Sequence, residues 1–238
     1  MQPISSPSFE FKQFSLHQDR CAMKVGTDGI LMGAWADVRG VKRALDIGTG
    51  TGLIALMLAQ RAPASEVIAL EIDAQAAAQA RENVAASPFK RQIKIQPESL
   101  QGYIPEASFD LIVSNPPFFK AGIPSPDMRR QRARHESSIG LKDILEFAAA
   151  HLHDHGRLAV ILPLGRWQEL VEQGRSHGLY VSRFCEVFSR PGKPAHRMLA
   201  ELGFRQRVPL LETLWLRAED GGFSPAYQNL TRDFHPFL

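Results

Sequence analysis

Cysteine is nearly absent: Cys21 and Cys185 are the only two in 238 residues, and they lie far apart in the chain. That excludes a disulfide framework and every paired-cysteine metal motif, and makes a reducing cytoplasm the expected compartment. Long apolar runs are missing too. The longest, Leu53 to Ala59, covers seven residues, too short to cross a bilayer and of a length that suits part of a helix. The start, Met1-Gln2-Pro3-Ile4-Ser5-Ser6-Pro7, lacks the basic-then-apolar pattern of a secretory leader, so none is expected. Nor does one sign of charge dominate, with 28 Lys and Arg against 25 Asp and Glu. What is present is ordinary globular material, 44% hydrophobic and 22% charged, long enough for one α/β domain.

The net charge of +3 is unevenly spread. Lys120 to Glu136 carries five cations and two anions, and Arg175 to Arg207 carries seven cations and two anions. These stretches hold +3 and +5, so the remainder of the chain sums to −5. Such segregation can build a phosphate-attracting face on a protein of small net charge. Solvated loops and strand edges are the plainer explanation of the same pattern.

Along the chain, Phe9 to Lys24 mixes aromatic and charged residues before a turn at Gly26-Thr27-Asp28-Gly29, and Ile30 to Trp35 is expected as a short helix. Apolar strands are expected at Ala44 to Ile47, Val67 to Leu70, Ile93 to Gln96, Phe109 to Val113 and Leu158 to Leu162. Helical spacing follows the first of these over Leu53 to Arg61. An Ala-rich helix N-capped by Asp73 follows the second and ends at Ser87-Pro88. Leu141 to Leu152 is amphipathic, with Gly156 as its expected stop, and Trp167 to Gly174 is helical. Tyr180 to Phe188 and Met198 to Phe204 flank a Pro/Gly loop and read as an antiparallel hairpin at one edge of the sheet. Strands without polar alternation, interleaved with helices, imply a mostly parallel, seven-stranded α/β sheet covered on both faces. Residues 1–40 are expected as an N-terminal extension packed on a catalytic domain formed by 41–238.

Asp46-Ile47-Gly48-Thr49-Gly50-Thr51-Gly52 follows the first strand, where doubly wound sheets bind nucleotide-type ligands. Glycines let a ligand approach the backbone, and the next helix points its N-terminus at the site. The dinucleotide pattern would need glycine where Leu53 stands, which disfavours NAD. The carboxylate of Asp46 would repel a pyrophosphate but suits an ammonium, and Glu71 ends the second strand where a ribose diol could be held. An adenosine with an amino-acid tail and no phosphate fits all three features: S-adenosylmethionine.

Ser114-Asn115-Pro116-Pro117-Phe118 follows the fourth strand. Two prolines fix two φ angles and remove two N–H groups, leaving a stiff corner with unspent carbonyls. The Asn115 side-chain oxygen and the Pro116 carbonyl can each accept one hydrogen of a planar –NH₂. The nitrogen lone pair is then aimed at a methyl donor, and catalysis is mostly orientation. Phe118 offers a stacking face for a base.

These motifs, with Phe11-Lys12-Gln13-Phe14, the run from Asp19 to Leu31 and Ala34-Trp35-Ala36, resemble the class I S-adenosylmethionine-dependent amino-methyltransferases of the N-P-P-[YF] group. Within that group the chain is similar to the bacterial tRNA adenine-N6 methyltransferases. The resemblance implies a Rossmann-like fold and methyl transfer to N6 of the adenine beside the anticodon of valine tRNA. It places Asn115, Pro116 and Phe118 at the base, and Asp46, Gly48, Gly50, Glu71 and Asn115 at the cofactor. It also brings Lys24, Thr27 and Asp28 over the cofactor, and either Glu98 or Ser99 to the cofactor adenine. Where the adenine enzymes usually carry Tyr, this chain has Phe118, and Asn-Pro-Pro-Phe also occurs in enzymes that methylate guanine N2 of ribosomal RNA.

Given an RNA substrate, Arg129, Arg130, Arg132 and Arg134 are expected to meet phosphate beside the base pocket, and Lys193 and Arg197 to extend that face. His151, His153 and His155 share no helical face, so no metal is expected. Three other activities compete. One is ribosomal RNA guanine-N2 methylation. Another is glutamine-N5 methylation of a protein, for which about 40 residues before the glycine turn leave little room for the usual helical domain. The third is RNA binding without catalysis, against which intact Asp46 and Asn115 argue.

Overall fold

A computed structural model describes residues 8–21, 24–117 and 139–236. A small antiparallel hairpin, β1 (Phe9–Glu10) and β2 (Ser15–Leu16), precedes helix α1 (Thr27–Trp35). Then come β3 (Arg43–Ile47), α2 (Leu53–Arg61), β4 (Glu66–Leu70), α3 (Ala74–Ala86), β5 (Ile93–Gln96) and β6 (Phe109–Ser114). After residue 138 follow α4 (Leu141–His151), β7 (Leu152–Pro163), α5 (Trp167–Ser176), β8 (Tyr180–Phe188), β9 (Ala195–Gly203), β10 (Leu210–Trp215) and α6 (Pro225–Thr231). No helix among the described residues is long and apolar enough to cross a membrane.

The main sheet has the order β10-β8-β9-β7-β6-β3-β4-β5, with only β9 running against its neighbours. The mostly parallel α/β class is as expected, but among the described residues the sheet has eight strands rather than seven. The eighth, β10, pairs parallel to β8 from Leu210↔Arg183 to Trp215↔Phe188, so the β8–β9 hairpin lies one strand inside the edge. Leu210 and Leu211 are both largely exposed, so this strand carries neither the alternation nor the buried run by which strands are recognised.

A second difference lies at Gly156. The chain passes from α4 directly into β7 at Leu152, six residues before the expected strand start. Pairing with β6 jumps from Phe109↔Leu152 to Leu111↔Arg157. A Cβ at Gly156 would stand 2.8 Å from the Phe109 carbonyl oxygen. This glycine therefore permits a strand bulge against β6 rather than ending the helix.

Successive side chains of the buried strands divide between two cores. On one face Leu111, Val113, Ala159 and Ile161 pack with α1, α2, Phe11, Phe14 and Phe234. On the other, Leu45, Ile47, Ile112 and Val160 pack with Leu141, Ile144 and Leu145 of α4 and Leu170 of α5. The two helices α1 and α2 touch through Gly29 and Gly33. A Cβ at Gly33 would come within 2.9 Å of Met57 Cβ and 2.7 Å of its Sδ. Gly33→Ala is therefore expected to destabilise the fold by about 1–3 kcal/mol through overpacking. Urea unfolding measures it, and an unchanged midpoint would mean that α1 yields freely on α2.

Candidate active site

Strand order reverses between β3 and β6, and ligands of such sheets bind in the crevice at the carboxyl ends of the strands there. A cavity of about 470 Å³ opens at this point. Its walls are Lys24 to Gly29, the turn after β3, the Asn115-Pro116 corner after β6, and His196 and Leu216 from the far strands.

The turn takes its shape from Gly48, Gly50 and Gly52, whose φ angles are +73°, +57° and +88°, a region costly for other residues. The Gly48 and Thr49 amides both donate to the Leu70 carbonyl, at 3.0 and 2.9 Å. Glu71 braces the turn by accepting from the Gly50 amide through Oε2 and from the Asp73 amide through Oε1, each at 2.9 Å. Each oxygen retains a lone pair, so Glu71 can still receive a ribose hydroxyl. From the other side Asn83 of α3, almost fully buried, donates to the carbonyls of Thr51 and His17 and accepts the His17 amide. The N-terminal segment and the turn are thereby stitched to one helix.

Asp46 sits deep near the end of β3. It lies fully buried beneath the turn and off the cavity wall. Its Oδ2 accepts the Thr49 hydroxyl at 2.6 Å and the Ala55 amide at 3.1 Å, so half of the carboxylate serves the loop and the start of α2. Its Oδ1 has no partner among the described residues, and burial pushes its pKa up to about 7. An unpartnered buried carboxylate oxygen under the turn fits a cationic ligand group. Open space where a Cβ of Gly48 would stand fits close approach of that ligand to the backbone.

The corner after β6 is locked to this turn. Ile47 pairs with Ser114 across β3 and β6, and the buried Ser114 hydroxyl donates to the Ile47 carbonyl at 3.1 Å. Gly48 and Asn115 therefore start from adjacent, bonded strand ends, and both line the cavity with Pro116. Sequence reading missed Ser114 as the link, because its partner lies 67 residues away.

Lys24, Thr27 and Asp28 line the cavity. Glu98 and Ser99 follow β5, off its wall. The Ser99 hydroxyl oxygen accepts the Gly102 amide at 3.1 Å, whereas the Glu98 carboxylate is exposed and makes no hydrogen bond or ion pair with another described residue. Both side chains therefore keep an acceptor lone pair that could receive an adenine amino group.

Arg197, expected to meet phosphate, is held against α1. Its Nε donates to Asp28 Oδ2 at 2.9 Å, and its terminal nitrogen reaches the His196 carbonyl. Antiparallel pairing of β9 with β7 brings Arg197 opposite Pro163, beside the first turn of α1, where the pair ties two walls of the cavity together. Lys193 is exposed in the β8–β9 turn. Phe118, Arg129, Arg130, Arg132 and Arg134 lie outside the described residues.

The family model described as the methyltransferase small domain matches residues 30–164, which takes in the glycine turn and the Asn-Pro-Pro corner. The chain belongs to the methyltransferase small domain family. A curated relative from Bacteroides thetaiotaomicron is 42% identical over 99% of this chain and 100% of its own length. One from Trichodesmium erythraeum is 44% identical over 95% of this chain and 97% of its own. Both are named tRNA1(Val) (adenine(37)-N6)-methyltransferase. Among solved structures, a predicted O-methyltransferase from Agrobacterium tumefaciens superposes with a TM-score of 0.66. It is 22% identical, with 87% of this chain and 96% of that one covered. A ribosomal protein L11 methylase from Lactobacillus delbrueckii reaches 0.52 at 18% identity over 75% and 77%. Family membership thus unites the two halves of the site as parts of one methyltransferase, and the structural likeness supports its fold.

Proposed function

We propose that the protein transfers the methyl group of S-adenosylmethionine to N6 of adenine 37 in valine tRNA, as its relatives' names state for them. The observation that carries this reading is the bonded adjacency of the glycine turn and the Asn115-Pro116 corner on one cavity. S-adenosylmethionine supplies an electrophilic methyl on a sulfonium. The chain's own part is to hold it and to aim a nitrogen at it. Asp46, Gly48, Gly50, Glu71 and either Glu98 or Ser99 hold the cofactor, with Lys24, Thr27 and Asp28 covering it. Asn115 Oδ1 and the Pro116 carbonyl accept the two N6 hydrogens, which turns the amine lone pair out of conjugation with the ring. Phe118 provides the stacking face. The nitrogen sheds its extra proton after transfer, so no general base is required. A tRNA substrate supports the reading of a cytoplasmic enzyme.

The test incubates the protein with labelled S-adenosylmethionine and a valine tRNA transcript, then digests the RNA and identifies the labelled nucleoside by mass. N6-methyladenosine at position 37 is expected. Label in N2-methylguanosine, or in protein, would replace this reading with one of the two competing amino-methylations.

A further inference from the structure

The cavity is asymmetric about the switch point. Its walls come from Lys24 to Gly29, the turn after β3 with the start of α2, the corner after β6, the start of β9 and the residue after β10, and none of the lining comes from β4 or β5. Glu71 and Glu98, which follow β4 and β5, mark the side for the nucleoside of the cofactor. The end of the cavity bounded by His196 and Leu216 is therefore left for the second substrate.

β9 begins at that end. Because Arg197 pairs with Pro163 and Ala195 with Phe188, the β8–β9 turn at 189–194 stands at the carboxyl edge of the sheet, beyond His196. Arg190 and Lys193 are exposed in this turn, and neither forms an ion pair with another described residue. The turn, Ser189-Arg190-Pro191-Gly192-Lys193-Pro194, contains no carboxylate. Lys24, also exposed, stands on the cavity wall. Other cations of the same basic stretch divide differently. Arg183 is engaged with Glu201 and Glu212. Arg205 and Arg207 follow the far end of β9, where Gly203 pairs with Tyr180, and so lie at the opposite edge of the sheet. The stretch that looks uniform in sequence is two separate surfaces, and only one of them borders the cavity.

We infer that the β8–β9 hairpin is the arm that positions the RNA: Arg190 and Lys193 take phosphates flanking the target nucleotide, while His196 contacts that nucleotide inside the cavity. The inference rests on the tRNA-methyltransferase reading above. Phosphate contacts fix register without reading sequence, and each one lost lowers the salt dependence of binding by close to one. A target extruded from an anticodon loop needs such anchorage on the backbone beside it.

The test measures binding of a valine tRNA transcript at several salt concentrations, and methyl transfer to it, for four proteins: wild type, Arg190→Gln/Lys193→Gln, Arg205→Gln/Arg207→Gln and His196→Ala. The hairpin double variant is expected to bind tRNA roughly tenfold more weakly. Its slope of log affinity against log salt should fall by about 2, with cofactor affinity unchanged. The opposite-edge variant should match wild type in both. His196→Ala should keep the wild-type salt slope and cofactor affinity but lose roughly tenfold in kcat, as expected of a misplaced target. Equal losses in the two double variants would overturn the inference, since they would report general attraction rather than an arm. So would weakened cofactor binding in His196→Ala. Wild type that makes no N6-methyladenosine would refute the functional reading itself, whereas an active wild type with an unaffected hairpin variant would refute only the arm.

Discussion

Asn115→Ala is expected to lower the rate of methyl transfer at least 100-fold while leaving S-adenosylmethionine affinity within a few-fold of wild type. The amide side chain is proposed to accept one N6 hydrogen while the Pro116 carbonyl accepts the other. With only the carbonyl left, the amine can rotate back into conjugation with the ring, and its lone pair no longer faces the methyl group. The loss should fall on kcat under single-turnover conditions, because the interaction matters most when the nitrogen begins to bond. Asn115→Asp is the sharper comparison, since it keeps both size and acceptor but brings a negative charge to the corner. Cofactor binding by isothermal titration separates the two effects. An alanine variant that still transfers methyl at more than a tenth of the wild-type rate would remove Asn115 from the role assigned to it.

Ser114 gives a way to show that the corner works through its geometry. Its hydroxyl joins β6 to the Ile47 carbonyl at the base of the glycine turn. That bond was invisible in the sequence, because it joins residues 67 positions apart. The locally determined parts were legible. Alternating glycines gave the turn, Asn-Pro-Pro gave the corner, and Asp73 caps α3 as expected by accepting the Gln75 and Ala76 amides at 2.9 Å. All of these act within a few residues. The turn even extends to Glu71, because β4 must lie next to β3 in a wound sheet.

What could not be read arises across long separations. Placing His196 on the cavity requires knowing that β9 runs antiparallel to β7, and the bond from Arg197 to Asp28 requires the same. Charge counting grouped Arg190, Lys193, Arg197, Arg205 and Arg207 together, whereas pairing assigns them to an exposed tip, an ion pair and the opposite edge. Asp46 is the subtler case. Its type and position were read correctly as a carboxylate at the strand end. Its depth was not legible, because a residue near the end of a buried strand can project above the turn or remain below it.

That depth leads to a pH dependence in cofactor binding. In the cofactor-free protein, burial raises the Asp46 pKa to about 7, with Thr49 and Ala55 opposing the shift and Glu71 adding to it. A carboxyl whose folded pKa exceeds its unfolded value favours folding in its protonated form. Its contribution is complete below the unfolded pKa, near 4, and is lost as pH rises toward 7. A ligand ammonium near the free Oδ1 reverses the preference, since it stabilises the carboxylate. Binding then requires Asp46 to release its proton wherever it is still protonated. Affinity for S-adenosylmethionine should therefore be roughly tenfold weaker at pH 6 than above the Asp46 pKa, where the group is already ionised. Asp46→Asn keeps an oxygen for the Ala55 amide but cannot ionise, so it should bind weakly at every pH and lose the slope between pH 6 and 7.5. The same variant should level the decline in cofactor-free stability over that range, a readout independent of catalysis. If wild-type affinity is flat with pH while the Asn variant binds equally well, Asp46 serves the turn alone. The ammonium of the cofactor must then be held by the carbonyls of the glycine turn above it.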